Sequence, residues 1–309
     1  MEKKIPVIID TDIGSDIDDT WALCFALLRD ELDIRLITTV LGDAVYSAKL
    51  IAKMNQCCGK GNIDIGLCSK SCPCGMFQEQ WVEDYDLSSY EGKIYKDGVG
   101  RMIDVINDSK EMVTILAMGP CTNLAEAVRR DPGIADKVRV VAVFGALFRG
   151  YFGDEVCDEY NVKKDIGAAR IFLSQYKNKL IVPIDTCFDA VIDGERFRHI
   201  KQCRKDNLAV NAVLENFEIW AANHPIWKKK SFERTSELCD TLTVYLAITN
   251  DGIINKNFDL EVNNDGYTII SENGVRSEVA IEWSDREHFL DFLVDTYCES
   301  SACLLRQGR

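Results

Sequence analysis

The segment Pro6-Val7-Ile8-Ile9-Asp10-Thr11-Asp12-Ile13-Gly14-Ser15-Asp16-Ile17-Asp18-Asp19 sets five aspartates within ten residues. They follow a short apolar run directly and precede Thr20-Trp21-Ala22-Leu23-Cys24-Phe25-Ala26-Leu27-Leu28. The first run reads as a strand buried on both faces, the second as a buried helix. A strand turning straight into a helix belongs to an open α/β sheet, and such sheets bind ligands at the carboxyl ends of their strands. Carboxylates this dense repel one another at neutral pH unless a positive charge shares their space. A hard divalent cation held by oxygen ligands, Ca²⁺ or Mg²⁺, meets that need.

The same rhythm continues for about 185 residues. Strand-like segments lie at 6–10, 34–40, 63–67, 112–118, 138–144 and 180–184, and helical ones begin near Asp18, Asp43, Asp97, Pro120 and Asp165. An acid or proline in the first turn suits a helix start. The expectation is an α/β fold with an open, mainly parallel, Rossmann-like sheet and helices on both faces. Residues 196–247 read as mostly helical, 258–282 as short strands with turns at Asn263-Asn264-Asp265-Gly266 and Glu272-Asn273-Gly274, and 285–298 as an amphipathic helix. With no repeat and no Pro- or Ser-rich linker, residues 1–309 are expected to form one domain. The polar, aromatic stretch 68–96 reads as a loop over a site.

Charge narrows the partners. A net charge of −14 argues against a phosphate-backbone surface, and so against nucleic acid, but leaves open an uncharged nucleoside. No signal-like apolar stretch and no run of 18 uncharged apolar residues is present, so a soluble, cytoplasmic protein without a membrane partner is expected. Thirteen cysteines, an odd number without a leader, favour reduced thiols. The Cys68, Cys72, Cys74 cluster, with Cys57 and Cys58 upstream, lacks the second CxxC pair or nearby His of a zinc site and reads as thiols in a loop.

Four polar segments follow predicted strands: the aspartate loop, Gly42-Asp43, Met118-Gly119-Pro120-Cys121-Thr122-Asn123, and Asp158-Glu159-Tyr160-Asn161. A lone acid, Asp240, opens a later apolar helix. Taken singly, Asp18, Asp43 and Asp240 are ordinary helix N-caps. Five acids in one loop exceed what one helix needs.

Asp-Thr-Asp-x-Gly-x-Asp-x-Asp-Asp after a strand resembles the signature of the nucleoside hydrolases, the inosine-uridine preferring N-ribohydrolase family. The resemblance runs in order through Thr38-Thr39-Val40-Leu41-Gly42-Asp43, Asp97-Gly98-Val99-Gly100, Gly119-Pro120-Cys121-Thr122-Asn123, Glu159-Tyr160-Asn161, Asp185-Thr186, Cys239-Asp240 and Val279-Ala280-Ile281-Glu282, covering nearly the whole chain. It implies a ribonucleoside hydrolase that releases ribose and free base, for purine or pyrimidine salvage, as a homodimer or homotetramer. It further implies a Ca²⁺ held by Asp12, Asp19, Asp240 and the carbonyl of Met118, with Asp12 also the general base for the attacking water. Asp18, Asp43, Glu159 and Asn161 would bind the ribose. Asp10 would be strand-end scaffolding and Asp16 a bystander, because the loop here is longer than the family's usual form.

The departures fall on the leaving-group side. Cys239 stands where well-studied members have a His, as in one branch of the family, and Ile94 stands at a further family His. The three histidines, His199, His224 and His288, match no catalytic position. A rival reading of another class is a non-catalytic, Ca²⁺-dependent ribose- or nucleoside-binding protein. A haloacid-dehalogenase-type phosphatase fits the Gly-containing, five-acid loop poorly. An EF-hand fails because Gly falls at position 5 and Trp21 at position 12 counted from Asp10.

Overall fold

The computed structural model describes residues 3–68, 74–229 and 233–299; Cys72 lies outside them. Its strands are β1 (Ile5–Thr11), β2 (Leu32–Thr39), β3 (Ile65–Gly66), β4 (Ile94–Tyr95), β5 (Val113–Ala117), β6 (Val138–Val143), β7 (Lys179–Val182), β8 (Ile253–Val262), β9 (Thr268–Ile270) and β10 (Val275–Trp283). Among the described residues they form one sheet of order β4-β3-β2-β1-β5-β6-β7-β10-β8-β9. Every neighbouring pair from β4 across to β10 is parallel, and β8 and β9 add an antiparallel edge. The sheet is mainly parallel, as its apolar strands suggest.

The helices are α1 (Asp18–Leu27), α2 (Ala44–Cys57), α3 (Glu79–Val82), α4 (Gly98–Asp108), α5 (Thr122–Arg130), α6 (Tyr160–Lys164), α7 (Ile166–Gln175), α8 (Ile184–Cys187), α9 (Gly194–Cys203), α10 (Leu208–Asn223), α11 (Thr241–Ile248) and α12 (Arg286–Glu299). Alternation along β1 feeds two cores. Val7 and Ile9 join the side chains of α1, α2, α10, α11 and α12, while Ile8 joins those of α4, α5 and α7. In the first core Trp21 meets Phe217 and Tyr297 edge-on, with centroids 6.1 and 5.3 Å apart. Rings buried this completely contribute roughly 3 kcal/mol each, which anchors α1 against α10 and α12.

The stretch expected as a loop, 68–96, departs from the expectation by carrying the one-turn helix α3 and the two-residue strand β4. Both are too short to leave a periodic signal.

Strand order positions the site. The chain runs outward from β1 through β2 and β3 to β4, then returns to lay β5 on the opposite side of β1. Strand order therefore reverses between β1 and β5, the place where open α/β sheets hold ligands. Asp10 is in register with Thr38 of β2 and Ala117 of β5, so the residues just past these ends, Asp12 and Met118, emerge together. No helix of the described residues is long and apolar enough to cross a membrane.

Candidate functional site

The acidic loop is held from behind by its own carbonyls. Ile13, Gly14, Ser15 and Asp16 each present a carbonyl oxygen to a side-chain donor: Ser47 Oγ at 2.8 Å, Tyr46 Oη at 3.0 Å, Trp220 Nε1 at 2.9 Å and Gln78 Nε2 at 2.9 Å. Gly14 has φ +127°, and a Cβ there would lie 2.5 Å from the Tyr46 ring. Across the crevice, a Cβ on Gly119 would stand 2.8 Å from Asp12 Oδ1. Glycine at 119 is what lets the Asp12 carboxylate lie against the β5 turn.

The five aspartates divide by environment. Asp10 is fully buried, and its Oδ1 accepts from Thr38 Oγ1 at 2.5 Å and Asn123 Nδ2 at 2.8 Å. Burial pushes it up to about 6 against those two hydrogen bonds. It ties the ends of β1 and β2 to the start of α5, a scaffolding arrangement. Asp16 is exposed, with its Oδ1 3.9 Å from His224 Nε2. Asp18, Asp19 and Asp240 bring carboxylate oxygens within 4.8 Å of one another. Thr11 Oγ1 donates to Asp19. Asp12 acts electrostatically on Asp240 and is itself acted on by Asp18 and Asp19. The tightest trio thus contains Asp18, read from the sequence as a ribose contact, with Asp12 beside it.

Two acids that open helices here do not cap them. The first turn of α11 is closed by backbone bonds from Thr241, Leu242 and Thr243 to the carbonyls of Leu238, Cys239 and Asp240, and the Asp240 side chain makes no cap bond. The start of α1 is closed likewise by Thr20 N–H on Ile17, again with no side-chain cap. Burial first, and the neighbouring acids second, push Asp12, Asp18 and Asp240 well above the usual carboxylate range, and Asp19 up to about 7.

These groups line a solvent-open cleft of about 710 Å³. Asp12, Asp16, Asp18, Asp19, Glu159, Glu237 and Asp240 give it seven carboxylates, and among its described lining residues there is no Lys, Arg or His. A cation is the one partner that would let these acids ionise together, and oxygen donors suit a hard one. Met118 also lines the cleft, and its carbonyl accepts from Asn161 Nδ2 at 2.8 Å. Glu159 is buried and caps α6, accepting from the N–H groups of Asn161, Val162 and Gly145.

The structure brings Asp12, Asp18, Asp19, Met118, Glu159, Asn161 and Asp240 to one cleft but leaves Asp43 outside its lining. The Asp43 carboxylate is exposed and caps α2, accepting from Val45 and Tyr46 N–H at 2.9 Å. Cys239 lines the cleft, hydrogen-bonded to the buried Cys187, and both thiols are pushed up. His224 stacks on Trp220 at 4.6 Å, and its Nδ1 accepts weakly from Ile226 and Trp227 N–H. Sequence reasoning missed Phe188, Ser236 and Glu237 on the cleft wall, which sit in irregular segments with no local pattern. Phe148 and Phe152, on the nearby 148–152 segment, are 55% and 99% exposed and do not line the cleft.

Comparison with known proteins yields a match of residues 7–291 to the family model described as inosine-uridine preferring nucleoside hydrolase. The non-specific ribonucleoside hydrolase RihC of Klebsiella pneumoniae is 31% identical over 183 residues, 55% of this chain and 59% of that protein. The chain thus matches less than two thirds of that relative's length. Among solved structures, a plant nucleoside hydrolase, PpNRh1, superposes with a TM-score of 0.77 at 22% identity, covering 95% of this chain and 99% of that one. The inosine-uridine preferring nucleoside hydrolase from Bacillus anthracis gives 0.77 at 16% identity, with 96% and 100% covered. At these identities the structural likeness speaks for the fold.

Proposed function

The chain belongs to the inosine-uridine preferring nucleoside hydrolase family, and on that premise we propose that it hydrolyses the N-glycosidic bond of ribonucleosides to ribose and free base. The observation that carries this reading is the cleft at the β1/β5 reversal, lined by seven carboxylates and, among the described residues, no Lys, Arg or His.

Asp12, Asp19, Asp240 and the Met118 carbonyl would hold a Ca²⁺, with Asp18 close enough to share it. When bound, the dication makes a water more acidic and fixes vicinal hydroxyls, as hard cations do. Asp12 would take the proton of the attacking water on a carboxylate oxygen. Asp18, Glu159 and Asn161 position the ribose. Glu159 reaches it from a carboxylate fixed by three backbone N–H groups, so its geometry is set before substrate arrives. The excess negative charge of the cleft stabilises a sugar that becomes cation-like in the transition state.

On the base side, Tyr151, Phe188, Trp220 and Trp227 form an apolar wall. Burial pushes the Tyr151 and Tyr160 phenols up, which keeps them protonated and able to donate toward a departing base. With Cys239 a neutral thiol, the described residues of the cleft offer no Lys, Arg or His to protonate the leaving group. That feature favours one second reading, a Ca²⁺-dependent nucleoside-binding protein without turnover.

A panel of ribo- and deoxyribonucleosides, assayed for free base with Ca²⁺ and with chelator, tests the proposal. Metal-dependent release confined to ribosides is expected. Cleavage of p-nitrophenyl riboside, whose leaving group needs no acid, separates enzyme from binder: a protein that binds Ca²⁺ yet leaves this substrate intact is a binder.

A further inference from the structure

Away from the cleft, His199 and Cys203 lie one turn apart on α9 and face Cys298 of α12. Their ligand atoms, imidazole nitrogen and two sulfurs, all fall within 4.8 Å of one another. We propose that His199, Cys203 and Cys298 form a second metal site, for a borderline-soft divalent cation such as Zn²⁺, that clasps α9 to α12.

The donor set chooses the ion. Thiolate and imidazole select zinc over the hard cations that carboxylates hold, so this site and the acidic cleft do not compete for one metal. Zinc–sulfur and zinc–nitrogen bonds of about 2.3 and 2.0 Å put tetrahedral ligand atoms roughly 3.5–3.8 Å apart, a closure that small side-chain rotations supply. Two helices provide three ligands, and water fills the fourth position. The i, i+4 pairing of His199 and Cys203 points both toward one side of α9.

Local charge favours a cation. Cys203 is the last residue of α9, where the carbonyl end of the helix attracts positive charge. The carboxylates of Asp295 and Glu299 act on Cys298, which hydrogen-bonds to the Cys203 thiol. Burial, that thiol and those acids together hold Cys298 well above an ordinary thiol, so in the metal-free protein it stays protonated. A zinc ion reverses this by exchanging a thiol proton for a metal bond at each cysteine, releasing two protons to solvent.

The clasp complements a contact already present. Arg196, nearer the start of α9, bridges Glu287 and Asp291 of α12. The metal would lock the other end of the same helix pair. It would also steady Tyr297, whose hydroxyl donates to the Trp21 carbonyl on α1 at 2.8 Å.

The test is Co²⁺ titration of the full chain, reduced and stripped of metal, in excess Ca²⁺. One equivalent of Co²⁺ with sulfur-to-cobalt charge-transfer absorption is expected, displaced by Zn²⁺ and accompanied by a higher Tm. Cys298→Ser and Cys203→Ser should each lower the absorption, since one thiolate remains, and weaken Zn²⁺ binding on the order of 100-fold; the double variant Cys203→Ser/Cys298→Ser should abolish the absorption. His199→Ala, at an exposed position, should weaken it while leaving the circular dichroism of the wild type, which guards against loss through misfolding. Cys68→Ser/Cys74→Ser should keep the signal. A reduced wild type without the absorption overturns the proposal, as does absorption that survives in Cys203→Ser/Cys298→Ser.

Discussion

Asp43 and Asp240 each stand immediately before an apolar helix, yet the fold uses them in opposite ways. At α2 the Asp43 carboxylate is exposed and engaged by two backbone N–H groups. At α11 backbone turn bonds close the first turn, and the Asp240 carboxylate, 3% exposed, lies against Asp18 and Asp19. A capping acid such as Asp43 turns a carboxylate oxygen onto the N–H groups of its own helix. A buried acid at a helix start that does not cap carries a charge that only something outside the chain can balance. The pair therefore separates local grammar from chemistry at two places the sequence writes alike.

The widest gap should appear in turnover. Asp240→Asn and Asp12→Asn should each lower kcat/KM for a ribonucleoside by on the order of 10³-fold or more, the range in which positioned general bases act, with circular dichroism unchanged. Asp240→Asn should also raise the Tm of the metal-stripped protein, because it removes one buried charge from a repelling cluster. Near-wild-type cleavage by Asp240→Asn would erase the distinction between the two acids.

The fold was legible where patterns are local. Both-face burial of β1, the alternation of strand and helix, and the five-acid loop all announce themselves within about twenty residues. The start points near Asp18, Asp43, Asp97 and Asp165 fall within one residue of α1, α2, α4 and α7. What cannot be read is which helix-start acids cap, since that depends on whether neighbouring carbonyls close the turn first. The donors that pin the loop, Tyr46, Ser47, Gln78 and Trp220, are equally hidden, because they arrive from distant elements. The same holds for His199, Cys203 and Cys298, whose meeting depends on α9 packing beside α12.

A smaller effect is expected from metal and pH together. In the stripped protein, Asp19 is held up to about 7 and Asp12, Asp18 and Asp240 are raised as well, so the folded state binds protons more tightly than the unfolded chain. Stability is then greatest at acid pH and falls as pH rises toward and through about 7. Ca²⁺ binds the ionised forms and opposes that fall. At 100 times its dissociation constant it should add about 2.7 kcal/mol, and the Tm gain should grow from about pH 5 to about pH 8. A gain that shrinks over this range would mean that the non-capping acids are not where Ca²⁺ binds.

Glu159 belongs to both classes, a capping acid that also lines the cleft. Glu159→Gln should cost roughly 1–3 kcal/mol of stability, because an amide NH₂ then confronts N–H groups that now donate to the carboxylate. It should also raise KM, since the ribose loses an acceptor. A rise in KM without any fall in Tm would place its role wholly on the substrate.

The smallest effect on chemistry should come from Asp43→Ala. Its carboxylate accepts two N–H bonds at the start of a 14-residue helix, so removal should cost about 0.5–2 kcal/mol. Asp43→Asn should recover most of that loss, because asparagine caps nearly as well. Neither variant should change kcat/KM by more than about twofold, because Asp43 does not line the cleft. The two substitutions therefore discriminate sharply. If Asp43 reached the ribose on substrate binding, the asparagine variant would restore stability without restoring KM. If capping is its whole task, stability and kinetics dissociate: Tm falls in Asp43→Ala alone while both enzymes turn over as the wild type does. That pattern is the mirror image of Asp240→Asn, in which the stripped protein gains stability and loses catalysis.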